Sequence, residues 1–403
     1  MYCAFIKLHL NDMTQTELVM RTVKSALAAN TPPRTGGLRF CMPAPFGKHG
    51  AGLGNEFIPW TRAWIASQVL GARLINPAFG RNSRGYRKYF DASRYDWVLN
   101  KAAAKLLPKI EFTERDYLEH GGGDVAQAIA CFAEAQGLHE RSAYVLVTGG
   151  MWGGFGHIQS ARDFVRARLY QSPATARNLF WLRQKLNPDK LLVTMHVRLG
   201  DFGAPIALDA YRGKFNVSLP LAWYERVAEV LSGIFGERMQ LLVVTDGRED
   251  QLGALVSRFG AVTTCGMTDS DCSDLLALAT GDLTVCSVSS YSMWAAFLSD
   301  APYLWFEPNL QQHDGFHSIW GHEPTQELND APTRQAMRQW SDTAIGSSPK
   351  GFPAGMDGLL PPKLVTQLRD RLSAKQGATD LLRYGVLPLV APAAPPISAT
   401  GEA

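Results

Sequence analysis

The second half of the chain alternates short apolar runs with longer stretches of helical period. The apolar runs at 191–197, 241–246, 283–287 and 302–306 have the length of buried strands. A weaker run at 261–265 predicts a further strand. The stretches between these runs, predicted as helices, cover 219–235, 249–259, 273–279 and 290–298. Strands and helices in this order predict a parallel, doubly wound α/β sheet.

The first half carries a less regular α/β pattern. Apolar runs at 38–45 and 144–150 predict strands, and a helix that ends near Gly71 follows the first of them. Pro59 is compatible with that helix if it lies in the first turn. The segment 87–140 is mixed and mostly helical by pattern. The apolar face of the early helix is formed by Phe57, Trp60, Trp64 and Ile65.

These patterns divide the chain into five predicted parts. They are an N-terminal lead-in (1–36), a first lobe (37–185), a second, nucleotide-binding lobe (186–345), a C-terminal helical return (346–386) and a disordered, Pro/Ala-rich tail (387–403).

Composition excludes some classes of protein. The 403 residues carry a net charge of only +3 with no basic run, which argues against a nucleic-acid partner. The six cysteines show no CxxC spacing, and neither a signal peptide nor an apolar run of membrane-spanning length is present. We therefore expect a cytoplasmic protein with reduced thiols.

The strand at 191–197 ends on ionisable residues. His196 and Arg198 share one side of the strand by its period of two, and Asp201 follows within reach of either. Because ligands of such sheets bind at the carboxyl ends of the strands, a guanidinium here is placed to grip a phosphate or carboxylate. Asp246 also follows a predicted strand. The alternative is an Arg–Asp ion pair that only caps the sheet.

Glycines follow two predicted strands. The stretch "GAGLGNEF" does not have the GxGxxG spacing, and no acid follows at the distance that an NAD site requires. A loop whose backbone approaches a ligand closely is the remaining interpretation, with Asn55 as donor and acceptor. "GGMWGGFG" allows a similar loop or a tight turn packed on Trp152.

Two helix starts in the second half could bind ligands. Acids at 268–274 have metal-like spacing, but no histidine lies near enough for a zinc set, so no metal is predicted. Asp274 opens a predicted helix and could be its cap. The hydroxyls of 287–292 precede another helix, whose N-terminus suits an anion, or they form an ordinary cap.

Taken together and in order, segments between residues 38 and 306 resemble the fucosyltransferase superfamily, most closely the bacterial α-1,2-fucosyltransferases with their HxRxxD motif. "GLGNE" is similar to their GxGNQ loop, "HVRLGDF" to HxRRxD, and "SLPLAWYERV", "VVTDG" and "DLLALATGDLTVCSVSSYSMWAAFL" to the segments that follow. The chain departs from those motifs at Glu56, Leu199, Val288, Tyr291 and Met293. Leu199 stands where the HxRRxD form has its second Arg.

The resemblance implies a GT-B fold, two Rossmann-like lobes with a cleft between them. It also implies an inverting, metal-independent transfer of fucose from GDP-fucose to a glycan hydroxyl, without a cofactor. The partners would be a nucleotide sugar and a glycan acceptor, with peripheral membrane association left open. Two alternatives are a related GT-B transferase with another nucleotide-sugar donor and a non-catalytic nucleotide-binding protein.

The resemblance also assigns roles. Arg198 would hold the β-phosphate with Ser290 and the Tyr291 backbone, Asp274 would accept from guanine, and Asn55 would lie by the reacting centre. The catalytic set is Arg198, Asn55 and His196. The donor-binding set is Gly54, Arg198, Asp201, Asp246, Asp274, Ser289, Ser290 and Tyr291. Three residues are candidate bases for the acceptor hydroxyl: Glu56, Asp201 and His157.

Overall fold

The computed structural model describes residues 37–45, 50–75, 84–90, 94–120, 124–152, 155–313, 316–318 and 350–375. The predicted lead-in and the predicted tail lie outside the described residues, as does the last part of the predicted second lobe.

The described strands and helices alternate along the chain. The strands are β1 Leu38–Pro43, β2 Arg73–Leu74, β3 Lys109–Phe112, β4 Ala143–Thr148, β5 Leu191–Val197, β6 Met239–Thr245, β7 Val262–Thr263, β8 Leu283–Val285, β9 Tyr303–Phe306, β10 Gln311–His313, β11 Phe316–Ser318 and β12 Gly351–Ala354. The α-helices are α1 Leu53–Leu70, α2 Arg94–Leu106, α3 Glu114–Glu119, α4 Val125–Ala135, α5 Arg162–Tyr170, α6 Pro173–Lys185, α7 Leu221–Phe235, α8 Ala254–Ser257, α9 Asp271–Ala279, α10 Ser290–Leu298 and α11 Pro362–Lys375.

The second sheet has six strands in the order β12-β9-β8-β5-β6-β7, and all of its pairs are parallel. From β5 the chain moves outward through β6 to β7, then returns to the other side of β5 for β8. The strand order therefore reverses between β5 and β8. Open α/β sheets bind ligands outside the carboxyl ends of the strands at such a reversal.

The first sheet has four parallel strands in the order β2-β1-β4-β3. Its reversal lies between β1 and β4, whose carboxyl ends lead into the loops at 50–52 and 149–152. The predicted α/β class with two parallel, Rossmann-like sheets is confirmed, in the two-lobed arrangement of a GT-B fold.

Helix α1 joins the two lobes at their core. Nearly all of its residues are buried, which explains why apolar residues occur on every side of it. Phe57 packs edge-on against Trp294 of α10 with ring centroids 5.5 Å apart. Trp294 Nε1 also donates to the carbonyl of Gly54 at 2.6 Å. The start of α1 is thereby fixed against the second lobe.

Pro59 lies in the second turn of α1, so the prediction of a first-turn proline was wrong. Residue 59 has no N–H, and the carbonyl of Asn55, four residues earlier, therefore receives no helical hydrogen bond from it. Thr148 at the end of β4 donates to the carbonyl of Pro59 at 2.7 Å. This contact ties the proline turn of α1 to the end of β4.

Other boundaries differ from the sequence predictions. The predicted helix 249–259 is a 3₁₀ turn followed by α8, because Gly253 adopts φ 54 between them. The predicted strand 261–265 shortens to Val262–Thr263 at the sheet edge. The mostly helical 87–140 segment contains strand β3. The predicted helical return begins with strand β12, which pairs with β9 before α11.

Candidate functional site

A cavity of about 790 Å³ lies between the two sheets, where both strand-order reversals open. Segments that follow β1, β2, β3 and β4 form one wall, and segments that follow β5, β6, β7 and β8 form the other. The lining includes Gly54, Asn55, Arg84, Tyr86, Glu114, Trp152, His196, Arg198, Asp201, Asp246, Asp271, Asp274, Ser289, Ser290 and Tyr291.

Arg198, just after β5, is held by two carboxylates. Its Nη1 lies 3.2 Å from Asp246 Oδ2, and its Nη2 donates to Asp201 Oδ1. Its guanidinium also lies 4.7 Å from the centroid of the Phe202 ring. Nε is buried and donates to no group in the described part of the chain. The guanidinium is thus aimed by its neighbours, with one buried donor still available.

Asp246 at the end of β6 positions the backbone beside Arg198. Its Oδ1 accepts from the amide of Leu199 at 2.9 Å. A Cβ on Gly200 would lie 2.6 Å from Asp246 Oδ2, so only glycine allows this approach. Asp246 therefore shapes the β5 loop as well as pairing with Arg198.

The N-termini of α1 and α10 meet at the cavity. A Cβ on Gly54 would lie 2.7 Å from Ser290 Oγ and 2.9 Å from the Tyr291 backbone nitrogen. Ser289 caps α10 by accepting from the amide of Ser292 at 3.3 Å. Two positive helix ends therefore face the same space, which favours a bound anion. The glycine loop, predicted to approach a ligand closely, packs against the start of α10 and also lines the cavity.

His196 belongs to a buried hydroxyl network. Its Nδ1 lies 2.7 Å from Ser292 Oγ and 2.9 Å from Ser287 Oγ. Burial, and secondarily the charge of Arg198, hold the pKa of His196 well below its usual value, so the ring is neutral at physiological pH. This contact links the end of β5 to the start of α10 across the reversal in strand order.

Asp274 lies in the first turn of α9, which begins at Asp271 with Ser270 as its N-cap residue. The alternative that Asp274 caps this helix is therefore wrong. Oδ2 accepts from Ser270 Oγ at 2.8 Å, whereas Oδ1 is buried and receives no hydrogen bond from the described residues. Burial raises the pKa of this carboxyl from 3.8 to about 8, against the opposing effects of the nearby Ser270 and Thr264 hydroxyls.

The wall from the first lobe contains Glu114, at the start of α3. Burial raises its pKa, and the buried guanidinium of Arg62 partly offsets that rise. Arg62 lies 3.7 Å from the Trp152 ring centroid, and Tyr117 stacks on Trp152 at 5.0 Å. The Trp152 ring thus packs on Arg62 and Tyr117 and also lines the cavity.

Segment 84–90 of the first lobe contacts the second lobe at three carboxylates. Arg84 Nη2 lies 2.9 Å from Asp201 Oδ2, Lys88 Nζ lies 2.5 Å from Asp269 Oδ1, and Tyr89 donates to Asp271 Oδ2 at 2.6 Å. In the same segment, the Tyr86 hydroxyl accepts from the amide of Leu53 at 3.2 Å, at the start of α1.

The cavity brings together ten of the twelve residues predicted from sequence: Gly54, Asn55, His196, Arg198, Asp201, Asp246, Asp274, Ser289, Ser290 and Tyr291. The candidate bases Glu56 and His157 do not line it. Glu56 instead accepts from the amide of Ala51 at 2.8 Å, and the His157 ring lies against Trp152 with centroids 5.6 Å apart.

Sequence reasoning missed Arg84, Tyr86 and Glu114, and it considered Asp271 only as one of the acids at 268–274. The first three belong to no recognisable motif, and the packing of the two lobes brings them to the cavity. The one available signal was the run of basic and aromatic residues "RGYRKY", whose partners are distant in sequence.

Within the described ranges, no group of three or more His, Cys, Asp or Glu side chains is arranged to hold a metal ion. No described helix combines the length and the apolar character that crossing a membrane requires.

No protein-family model matches the chain, and no curated protein matches it. Among solved structures, the chain is similar to POFUT1 in complex with GDP-fucose, at 11% identity and a TM-score of 0.39 over 67% of this chain and 99% of that one. It is similar to POFUT1 in complex with GDP at 11% identity and a TM-score of 0.41, over 67% and 98% of the two chains.

Proposed function

We propose that the protein is an inverting glycosyltransferase that transfers fucose from GDP-fucose to a hydroxyl of a glycan. One observation carries the proposal. Both parallel sheets have their strand-order reversals at the same cavity, and the N-termini of α1 and α10 also line it. Arg198 lines that same space and has a buried Nε donor without a partner among the described residues. A nucleoside diphosphate needs such an anion site, and an acceptor needs the facing wall.

Departure of the diphosphate is the step that these groups would assist. As the bond to the sugar C1 breaks, the sugar becomes oxocarbenium-like and negative charge grows on the β-phosphate. Arg198 and the amide end of α10 stabilise that charge by preorganised hydrogen bonds. His196 is a positioning residue in this scheme, because its neutral ring holds Ser287, before α10, and Ser292, in its first turn, at the end of β5.

Asp274 would read the base. A carboxylate accepts two parallel hydrogen bonds from guanine N1–H and N2–H, whereas adenine presents a lone pair at N1. The unpaired, buried Oδ1 of Asp274 supports this role, because a ligand donor would satisfy it. Binding of guanine would then require the ionised form of the carboxyl.

Glu114 is the carboxylate that we assign to the acceptor hydroxyl. Asp201 lies beside Arg198 on the wall where the phosphate would bind, and Glu56 and His157 do not line the cavity. Glu114 lies on the wall of the first lobe, and its raised pKa brings it closer to the range useful for a general base.

Thermal-shift measurements with GDP, UDP, CMP and NAD test the proposal first, because a ligand of the folded state raises the melting temperature by mass action. We expect GDP to give the largest shift and GDP-fucose to release GDP when a glycan acceptor is added. A larger shift with UDP would support the alternative of another nucleotide-sugar donor. Tight GDP binding without any turnover would support a non-catalytic nucleotide-binding protein.

A further inference from the structure

We propose that Arg84 is a second phosphate-binding cation of this site, supplied by the first lobe. The inference rests on the proposed function and extends it. Arg84 and Arg198 both line the cavity, and they bind opposite oxygens of one carboxylate, that of Asp201. Two guanidiniums converging on one small anion is the arrangement that a diphosphate requires.

The charge of the cavity makes a second cation necessary. Its lining includes five carboxylic residues and two arginines, and the residue after Arg198 is the apolar Leu199. The end of β5 therefore contributes one guanidinium only. A diphosphate with two or more negative charges, placed near Asp201 and Asp246, needs further positive charge to bind. Arg84 is the other arginine among the lining residues.

A phosphate can replace Asp201 as the partner of the arginines with little loss of folding stability. Its side chain is 46% exposed and that of Arg84 is 48% exposed, so their ion pair is solvated and contributes little to folding. Phosphate oxygens accept two parallel hydrogen bonds from a guanidinium and carry more charge than a carboxylate. We infer that the donor displaces Asp201 from both arginines and is held between the lobes.

Affinities for GDP, GMP and guanosine, measured by calorimetry, test the role of Arg84. In Arg84→Gln we expect about tenfold weaker GDP binding and an unchanged affinity for guanosine, since a charged hydrogen bond to the β-phosphate is lost. Lys88→Gln is the matched control, because Lys88 makes the neighbouring bridge to Asp269 without lining the cavity. It should leave all three affinities unchanged.

A second background separates phosphate binding from a purely structural role. If Arg84 acts only by positioning Asp201, Arg84→Gln will have no effect in an Asp201→Asn protein. If it binds phosphate, the tenfold loss of GDP affinity will persist there. Equal losses for GDP and guanosine, or no loss, would overturn the inference. If the wild type binds no nucleotide at all, the proposed function itself fails, and that outcome is distinguishable from the others.

Discussion

The buried carboxyl of Asp274 should make the unliganded protein less stable as pH rises. Its pKa is raised from 3.8 to about 8 by burial, so the folded state holds this proton more tightly than the unfolded state. For an acid with a raised pKa, the favourable contribution is present below pH 3.8 and is lost as pH rises towards 8. At about 1.36 kcal/mol per pH unit, the loss by pH 8 is at most roughly 6 kcal/mol.

Asp274→Asn should therefore stabilise the unliganded protein at pH 8 while impairing its ligand site. Because the amide cannot ionise, the variant's free energy of unfolding relative to the wild type should be higher at pH 8 than at pH 5 by at most about 4 kcal/mol. Part of this is offset by the new buried N–H groups, so we expect a net rise in melting temperature at pH 8 on the order of 5 °C. Asp269→Asn, an exposed change in the same loop, is the control.

Binding should change in the opposite direction. An asparagine offers one acceptor and an opposing donor to guanine, so Asp274→Asn should lose the preference for GDP over ADP. In the wild type, GDP affinity should rise about tenfold per pH unit up to pH 8 and then level off, with proton release on binding. A melting-temperature change that is the same at pH 5 and pH 8, together with an unchanged GDP/ADP ratio, would refute the reasoning.

Three further changes test other parts of the site. Gly54→Ala should lower the melting temperature and the GDP affinity, because the new Cβ would lie 2.9 Å from backbone atoms of α10. Gly52→Ala is the control: nothing lies within 4 Å of its new Cβ, so the melting temperature should not fall. His196→Asn should reduce the fall in stability below pH 6.5. The wild-type histidine takes up a proton on unfolding, which lowers the free energy of unfolding by up to about 1.36 kcal/mol per pH unit. An equally steep fall in both proteins would contradict the neutral state of His196. Glu114→Gln should slow fucose transfer about a hundredfold in a GDP-release assay and leave GDP affinity unchanged, and an unaltered rate would exclude it as base.

The second lobe was the more predictable half of the fold. Its strands are buried on both faces and are bounded by amphipathic helices, so the apolar runs at 191–197 and 241–246 stand out directly. Strand β3 was missed because only one of its four residues, Phe112, is buried. Edge strand β12, with Gly351 and Pro353, has a composition typical of a loop, and only its pairing with β9 makes it a strand.

Site residues at strand ends were predictable from the sequence. Site residues that reach the cavity only because the two lobes pack together were not. His196 and Arg198 fall on one side of β5 by simple alternation, and both line the cavity. Arg84 and Glu114 reach it through contacts that span the chain, such as the ion pair between Arg84 and Asp201. No spacing rule within one segment encodes such a contact, so these residues could not be found from the sequence.

Titration of GDP into the wild type and into Arg198→Gln tests the central claim most directly. Arg198→Gln shortens the side chain and removes the charged guanidinium of a residue that lines the cavity, while an uncharged polar group remains. The account predicts that the wild type binds GDP in preference to ADP and UDP. It predicts that the variant loses affinity for all three diphosphates by at least about tenfold while still folding. GDP binding of equal strength in both proteins, or none in the wild type, would contradict the account.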